Sequence, residues 1–262
     1  MSTRLCAEEC ARRIIQRELR APVVLHDDGT RPSMYDLRVG DVLHPSIAIE
    51  CVGAVDRLRT ETWNVGPGRG SFTLPLDGDW NVVLLPNAIV KRVRAELPSL
   101  LRVYSESGFE GFVPVDAFLN LRNPSLFKRL AGLKIDSVSR YDPGSGRIYL
   151  GMTGYGGAVD PTGREVPGWI AEFLRANDRQ DVLLKLRISD AAARHVFVHV
   201  SFGGVPWLVE SYLGTETDLL PSEAPDLPEP VDAVWIAYGK KGVRWDGAAW
   251  RFFDAVIPAL AD

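Results

Sequence analysis

The chain opens with one amphipathic helix followed by three short strands. Residues 6–20 carry apolar side chains at the three- and four-residue spacing of a helix, and Pro22 ends that pattern. The apolar stripe consists of Cys6, Ala7, Cys10, Ala11, Ile14 and Ile15. The runs PVVLH, MYDLRVG and SIAIECVG then follow, rich in β-branched residues and separated by turn-forming sequences. The predicted order is helix, strand, strand, strand.

The middle of the chain continues with strands and one long helix, then changes character. After the loop GPGRG, the runs SFTLPL and DWNVVLLP are typical of strands. Residues 88–108 are typical of a helix that breaks or bends near Pro98. Residues 109–165 contain only short segments, and DPGSG between two alternating runs predicts a hairpin turn. We interpret 109–165 as an inserted small β subdomain.

The last hundred residues return to the alternation of helix and strand. A helix is predicted after Pro167, with DVLLKLRIS as a second helix, RHVFVHVSF as a strand and PWLVESYLG as a third helix. Four prolines in residues 221–230 indicate an exposed connector, after which VDAVWIAYG predicts a strand and GVRWDGAAWRFFD a closing hairpin. The sequence therefore predicts an α/β fold, a mixed central sheet flanked by helices, with 1–108 and 166–262 as its two parts.

Composition narrows the class of protein. No segment reaches the roughly 18 apolar residues of a membrane span, and the acidic N-terminus lacks the apolar centre of a signal peptide, so we expect a cytoplasmic protein without membrane contact. Three cysteines without CxxC spacing predict thiols and neither disulfides nor a cysteine zinc site. The net charge of −4 gives no global attraction to nucleic acid, although clusters such as Lys91, Arg92 and Arg94 could form a basic face.

Two carboxylates on neighbouring predicted strands are candidate ligands for a metal ion. Asp36 lies in MYDLRVG, and Glu50 ends the run SIAIE. A hairpin between these strands would bring both carboxylates to one point, with the carbonyl of Cys51 as a third oxygen. Magnesium is held in proteins by such oxygen ligands, so the pattern predicts a Mg²⁺ or Mn²⁺ site.

This arrangement resembles the PD-(D/E)XK nuclease superfamily, the restriction-endonuclease-like fold. In that fold a helix, a strand, an Asp-bearing strand and a (D/E)xK-bearing strand follow one another. Here Pro32 and Asp36 resemble the PD element, and residues 50–52 resemble the (D/E)xK element. The resemblance covers residues 1–56 best and 180–240 loosely. The sequence also resembles a group of bacterial proteins that are usually assigned to this fold and have no known function.

The resemblance is incomplete at the lysine, because Val52 stands where the motif has Lys. Some members of such families supply the lysine from another element, which makes Lys91 and Lys185 the candidates among only six lysines. The resemblance also implies that Glu9, or less readily Glu18, adds a carboxylate from the first helix.

Other polar groups have ordinary structural interpretations. His195 and His199 lie on one face of a predicted strand about 13 Å apart, too far for one metal ion. The sequence HDDG at 26–29 is typical of a turn, GPGRG lacks the GK[ST] of a phosphate-binding loop, and Cys6 and Cys10 are typical of a helix core.

Three functional hypotheses follow. The first is a divalent-metal-dependent phosphodiester hydrolase acting on DNA or RNA, with Asp36 and Glu50 binding metal and Lys91 or Lys185 assisting. The second is a catalytically inactive nuclease-like module that binds nucleic acid or a protein partner, which Val52 and the acidic net charge favour. The third is an enzyme acting on small phosphorylated molecules. A lysine ammonium within about 5 Å of the two carboxylates would favour catalysis.

Overall fold

A computed structural model describes residues 3–30, 33–41, 43–109, 111–115, 122–153 and 159–256, with the backbone only for 3–6. The helices in these ranges are α1 (Thr3–Leu19), α2 (Arg57–Val65), α3 (Val90–Glu106), α4 (Pro124–Gly132), α5 (Glu165–Arg175), α6 (Gln180–Ile188) and α7 (Trp207–Gly214). The strands are β1 (Val23–Leu25), β2 (Leu37–Gly40), β3 (Pro45–Ala54), β4 (Ser71–Thr73), β5 (Gly78–Leu84), β6 (Gly111–Pro114), β7 (Ile135–Tyr141), β8 (Ser145–Met152), β9 (Ala193–Val200), β10 (Ala233–Tyr238), β11 (Lys241–Trp245) and β12 (Trp250–Asp254). The predicted α/β class with mixed sheets and flanking helices is confirmed.

The chain divides into two compact units. Unit 1 comprises residues 1–55 and 157–262, and unit 2 comprises the intervening residues 56–156. Unit 2 therefore begins much earlier than the subdomain at 109–165 expected from the sequence. The difference arises from β4, β5 and α3. In the sequence these elements continue the α/β alternation of the first strands, but in the structure they belong to the sheet and core of unit 2.

Unit 1 is built on a seven-stranded sheet with the order β1-β2-β3-β9-β10-β11-β12. The first three strands form an antiparallel meander, and β3, β9 and β10 are parallel, so the sheet is mixed. The predicted closing hairpin is confirmed as the antiparallel pair β11 and β12. Two prolines of the predicted connector, Pro221 and Pro225, are buried, so the segment is only partly exposed.

Alternation along β3 assigns its side chains to two separate cores. Ile49 belongs to the core that contains Ala11, Ile14 and Ile15 of α1. Ala48 and Ala54 belong to the core that contains the buried residues of α5, α6 and α7. Successive strand residues point to opposite faces, so Glu50 and Val52 face the same side as Ala48, toward the α5–α7 layer.

Unit 2 has its own five-stranded sheet, with the order β4-β8-β5-β7-β6, and its core includes residues of α3 and α4. The predicted hairpin around DPGSG is wrong, because β5 lies between β7 and β8, antiparallel to one and parallel to the other. Of the predicted break or bend near Pro98, the break is wrong, since α3 continues through Pro98 and buries Leu97, Leu100 and Leu101. Burial of this apolar face outweighs the loss of one backbone hydrogen bond.

Among the described helices, none combines the length and the apolar character that crossing a bilayer requires. Cys10 and Cys51 are present as thiols, and the side chain of Cys6 lies outside the described residues.

Candidate functional site

The strand register brings Asp36 and Glu50 together. Leu37 pairs with Ile49 across β2 and β3, and the two acids are the next residues outward from this pair. The backbone N–H of Cys51 donates a 2.7 Å hydrogen bond to Oδ2 of Asp36, which fixes that carboxylate against β3. Both acids are buried, each with only 2% of its surface exposed. The structure therefore brings the two carboxylates together as predicted, with Asp36 immediately before β2 and Glu50 in β3.

Lys185 on α6 approaches Glu50 from the covering helix layer. Its Nζ lies 3.3 Å from Oε1 and 3.4 Å from Oε2 of Glu50, and the lysine side chain is 16% exposed. The buried Val182, Leu183 and Leu186 hold α6 on the sheet and thereby determine where Lys185 points. Val52, two residues beyond Glu50, packs into the same core. Lys185 of α6 therefore places an ammonium group on the face of β3 that carries Glu50 and Val52.

Burial dominates the electrostatics of Glu50. Loss of hydration and the nearby charge of Asp36 raise the pKa of Glu50 to about 8, although the Lys185 ammonium lowers it. Asp181, one turn before Lys185 on α6, also raises the pKa of Glu50. Oε1 of Glu50 is buried and accepts no hydrogen bond of good geometry from the residues that the structure describes. The buried environment therefore favours the protonated form of this carboxylate.

A cavity of about 400 Å³ in unit 1 adjoins the carboxylate pair through Lys185. The stacked rings of His26 and Tyr35, whose centroids are 4.1 Å apart, form another part of its wall. The remaining lining residues are Ser33, Met34, Leu43, Pro45, Ile188, Ser189 and Asp190. Lys185 thus contacts Glu50 and also borders a space into which a ligand can enter.

The other predicted site residues have different surroundings. Glu9 is bound by Arg12 and Arg13 of its own helix, each at 2.7 Å, and these contacts lower its pKa to about 2. Lys91 is exposed on α3 and belongs to unit 2. Pro32 lies outside the described residues.

The two histidines of β9 are held by hydrogen bonds within unit 1. Nδ1 of His195 accepts from the indole N–H of Trp235 at 3.4 Å, and Nε2 of His199 lies 2.8 Å from the carbonyl oxygen of Ala7. Burial lowers the pKa of His195 to about 4 and also lowers that of His199. Both rings therefore stay neutral at physiological pH and help to pack the sheet.

The turn interpretation of HDDG is confirmed, because Asp27 and Asp28 each accept a 2.9 Å hydrogen bond from the backbone two residues later. His26, in the same segment, nevertheless lines the cavity beside Lys185. Neither Tyr35 nor Asp181 stands out as a site residue in the sequence. Their nearness to the site depends on long-range packing between β2, β3 and α6, which local patterns do not encode.

No cluster of three or more His, Cys, Asp or Glu side chains able to hold a metal occurs within the ranges described above. The comparison of the chain with protein-family models, with curated proteins and with solved structures gives no match.

Proposed function

We propose that unit 1 is a divalent-metal-dependent phosphodiester hydrolase that acts on nucleic acid. The observation that carries this proposal is the position of the Lys185 ammonium, 3.3 Å from a buried Glu50 carboxylate that neighbours Asp36. Two acids and one lysine are the groups that such a reaction uses, and the order of α1, β1, β2 and β3 matches the order in the superfamily that the sequence resembles.

The donor atoms suit a hard cation such as Mg²⁺. Asp36 and Glu50 offer carboxylate oxygens, the Cys51 carbonyl is the third oxygen predicted from the sequence, and Oε1 of Glu50 is a buried acceptor without a hydrogen bond from the described residues. Magnesium is commonly bound by one or two protein carboxylates, with waters and substrate phosphates completing its shell. A pair of acids therefore suffices, and a cluster of three is not required. When bound, the metal would act as a Lewis acid and activate water.

The protein's own groups have separable roles in this proposal. The N–H of Cys51 orients Asp36. Lys185 supplies a positive charge beside Glu50, where it can stabilise the charge that develops on a phosphate during cleavage. The adjoining cavity leaves room for part of the substrate next to this charge.

Matched substitutions test the proposal. Glu50→Gln removes one metal-binding carboxylate, and Lys185→Met removes the ammonium while keeping the length of the side chain. Glu210→Gln is the control, because Glu210 is also buried in unit 1 but accepts hydrogen bonds from Gly203 and Tyr238. Mg²⁺ and Mn²⁺ binding is measured by calorimetry, and cleavage is measured on single- and double-stranded DNA and RNA.

We expect metal binding and metal-dependent cleavage by the wild-type protein. Glu50→Gln should lose both, Lys185→Met should lose cleavage by about 100-fold or more, in the range of a removed charge-stabilising group, and Glu210→Gln should keep both. Absence of metal binding by the wild-type protein would refute the proposal.

A second candidate is a nuclease-like module without turnover. It is favoured by Val52 in the motif and by the contact between Lys185 and Glu50, since a lysine can also serve only to satisfy a buried carboxyl group. Binding of nucleic acid without cleavage in any metal would favour this module.

A further inference from the structure

Unit 2 contains a cavity of about 600 Å³ that is separate from the carboxylate pair. Its wall is formed by α2, the short turn after it, and the loop that leads into α3. The lining residues are Leu58, Glu61, Thr62, Val65, Arg69, Pro86, Asn87, Ala88, Ile89, Val90, Lys91 and Arg94. The Thr62 hydroxyl donates to the carbonyl of Pro86, and this bond ties α2 to the loop before α3. The cavity is thus bounded by elements that are held together, and its volume suits a small organic ligand.

The charges on this wall favour an anion. Arg69, Lys91 and Arg94 line the cavity, and Glu61 is the one acid among the lining residues that the structure describes. Glu61 is bound by Arg57 of its own helix at 2.8 Å, which offsets its charge. Three cations therefore face the cavity without an equal number of acids.

Arg94 is held against an aromatic ring. Its guanidinium lies over the ring of Phe72, 5.0 Å from the ring centroid. Its Nε is buried and donates no hydrogen bond to any residue within the described part of the chain. Arg94 also lines the cavity, and an arginine recognises phosphate oxygens through its fixed set of N–H donors.

The same cavity offers an apolar wall and a helix terminus. Leu58, Val65 and Ile89 are 58%, 46% and 66% exposed, which is unusual for three neighbouring aliphatic side chains on one cavity. Ile89 is also the N-cap of α3 and provides no side-chain cap, so the positive end of this 17-residue helix faces the cavity. A ligand that matches these features carries an anionic group together with an apolar part.

We propose that this cavity binds a nucleotide, with its phosphate at Arg69, Lys91 and Arg94 and its nucleoside against Leu58, Val65 and Ile89. The anion site follows from the charges of unit 2 alone. The choice of a nucleotide among organic phosphates rests on the proposed function, and the nucleotide can be a free mononucleotide or part of a single strand.

The test exploits two adjacent cations on α3. Lys91 lines the cavity, whereas its neighbour Arg92 does not line it and is bound to Glu96 at 2.7 Å. Lys91→Glu and Arg92→Glu therefore change the net charge equally, and only the first changes the cavity. Arg94→Gln serves as a second cavity variant, and thermal unfolding of every variant establishes that it is folded.

Binding is measured by fluorescence anisotropy with a labelled 20-nucleotide single strand and, separately, with a fluorescent adenosine monophosphate. Both titrations are made in EDTA, so that a metal-dependent site in unit 1 does not contribute. Lys91→Glu should weaken binding of at least one probe by about tenfold, and Arg92→Glu by less than about twofold, because a like charge acts mainly where the phosphate is bound. For the strand, the logarithm of the binding constant should fall linearly with the logarithm of the salt concentration, with a slope of about −0.7 for the one phosphate that the cavity neutralises.

The two probes distinguish the source of the nucleotide. Tight binding of the strand with no binding of the monophosphate identifies a strand site, and the reverse identifies a mononucleotide site; either result supports the inference. Failure of the wild-type protein to bind both probes at low salt would overturn it, as would equal losses in Lys91→Glu and Arg92→Glu. Neither of these two failures would bear on metal binding or cleavage in unit 1.

Discussion

The buried Glu50 predicts an unusual dependence of stability on pH. Its pKa is raised to about 8 in the folded protein by burial and by Asp36 and Asp181, against the lowering effect of Lys185, and the ordinary value is 4.5. Between pH 4.5 and 8 the unfolded chain releases this proton while the folded protein keeps it. The contribution of Glu50 to stability is therefore lost as the pH rises through this window, and it is constant above about pH 8.

The size of this change in the free energy of unfolding follows from the two pKa values of Glu50. Each pH unit within the window costs about 1.4 kcal/mol, so the full effect is at most about 5 kcal/mol. Glutamine mimics the protonated glutamic acid and does not titrate. We expect Glu50→Gln to match the wild-type protein at pH 4.5 and to become progressively more stable than it, by up to about 5 kcal/mol at pH 9.

Urea unfolding at half-unit steps from pH 4.5 to 9 measures this difference. Tryptophan fluorescence is a suitable signal, since five of the seven tryptophans lie in unit 1. All other titrating groups are common to both proteins, so the difference between them isolates Glu50 and its immediate neighbours. Glu210→Gln controls for the substitution of a buried glutamate, and we expect it to be destabilised at pH 6 by about 1–3 kcal/mol because its hydrogen bonds are disturbed. A difference between Glu50→Gln and the wild-type protein that stays within about 1 kcal/mol from pH 4.5 to 9 would refute the reasoning.

Further predictions concern the metal and the packing. Because burial and Asp36 raise the pKa of Glu50 to about 8, Mg²⁺ or Mn²⁺ binding at pH 7 should release most of one proton, measured by calorimetry in buffers of different ionisation enthalpy; release of no proton would contradict metal binding by a Glu50 with this raised pKa. Gly242→Ala should lower the free energy of unfolding by about 1–3 kcal/mol, because its new Cβ would lie 2.1 Å from the ring of Phe253. Gly168→Ala is its matched control, since nothing lies within 4 Å of a Cβ there and the residue is inside α5, so stability should rise by about 0.8 kcal/mol. Urea unfolding compares the two alanine variants, and equal effects would contradict the packing argument.

The sequence predicted those parts of the fold that depend on local pattern. The stripe of α1, the three strands after it and the closing hairpin all follow from periodicity and turn residues, and the structure contains each of them. The hairpin at DPGSG was wrong because a turn sequence specifies only the turn. The strand that pairs with β7 and β8 is β5, more than fifty residues earlier in the chain.

The candidate site also combines features that follow from local sequence with one that depends on long-range packing. The positions of Asp36 and Glu50 on consecutive strands follow from the β2–β3 meander, so the pair could be inferred from sequence. The lysine could not be chosen in advance, because Lys91 and Lys185 both lie on amphipathic helices. Only the packing of α6 on β3 brings Lys185 to Glu50, and that contact joins residues 135 positions apart.

The insertion of unit 2 has a consequence for protein synthesis. Residues 56–156 are continuous, so unit 2 has its whole sequence available as soon as that stretch leaves the ribosome. In unit 1, β3 pairs with β9, and Ile47 can pair only after Ala193 has been synthesised. During translation the first three strands and their two acids therefore exist for more than a hundred residues of synthesis without β9 or α6. A nascent chain interrupted between residues 156 and 180 would contain the whole of unit 2, while the first three strands of unit 1 would still have an open sheet edge. Such an intermediate is the kind that chaperones protect from aggregation.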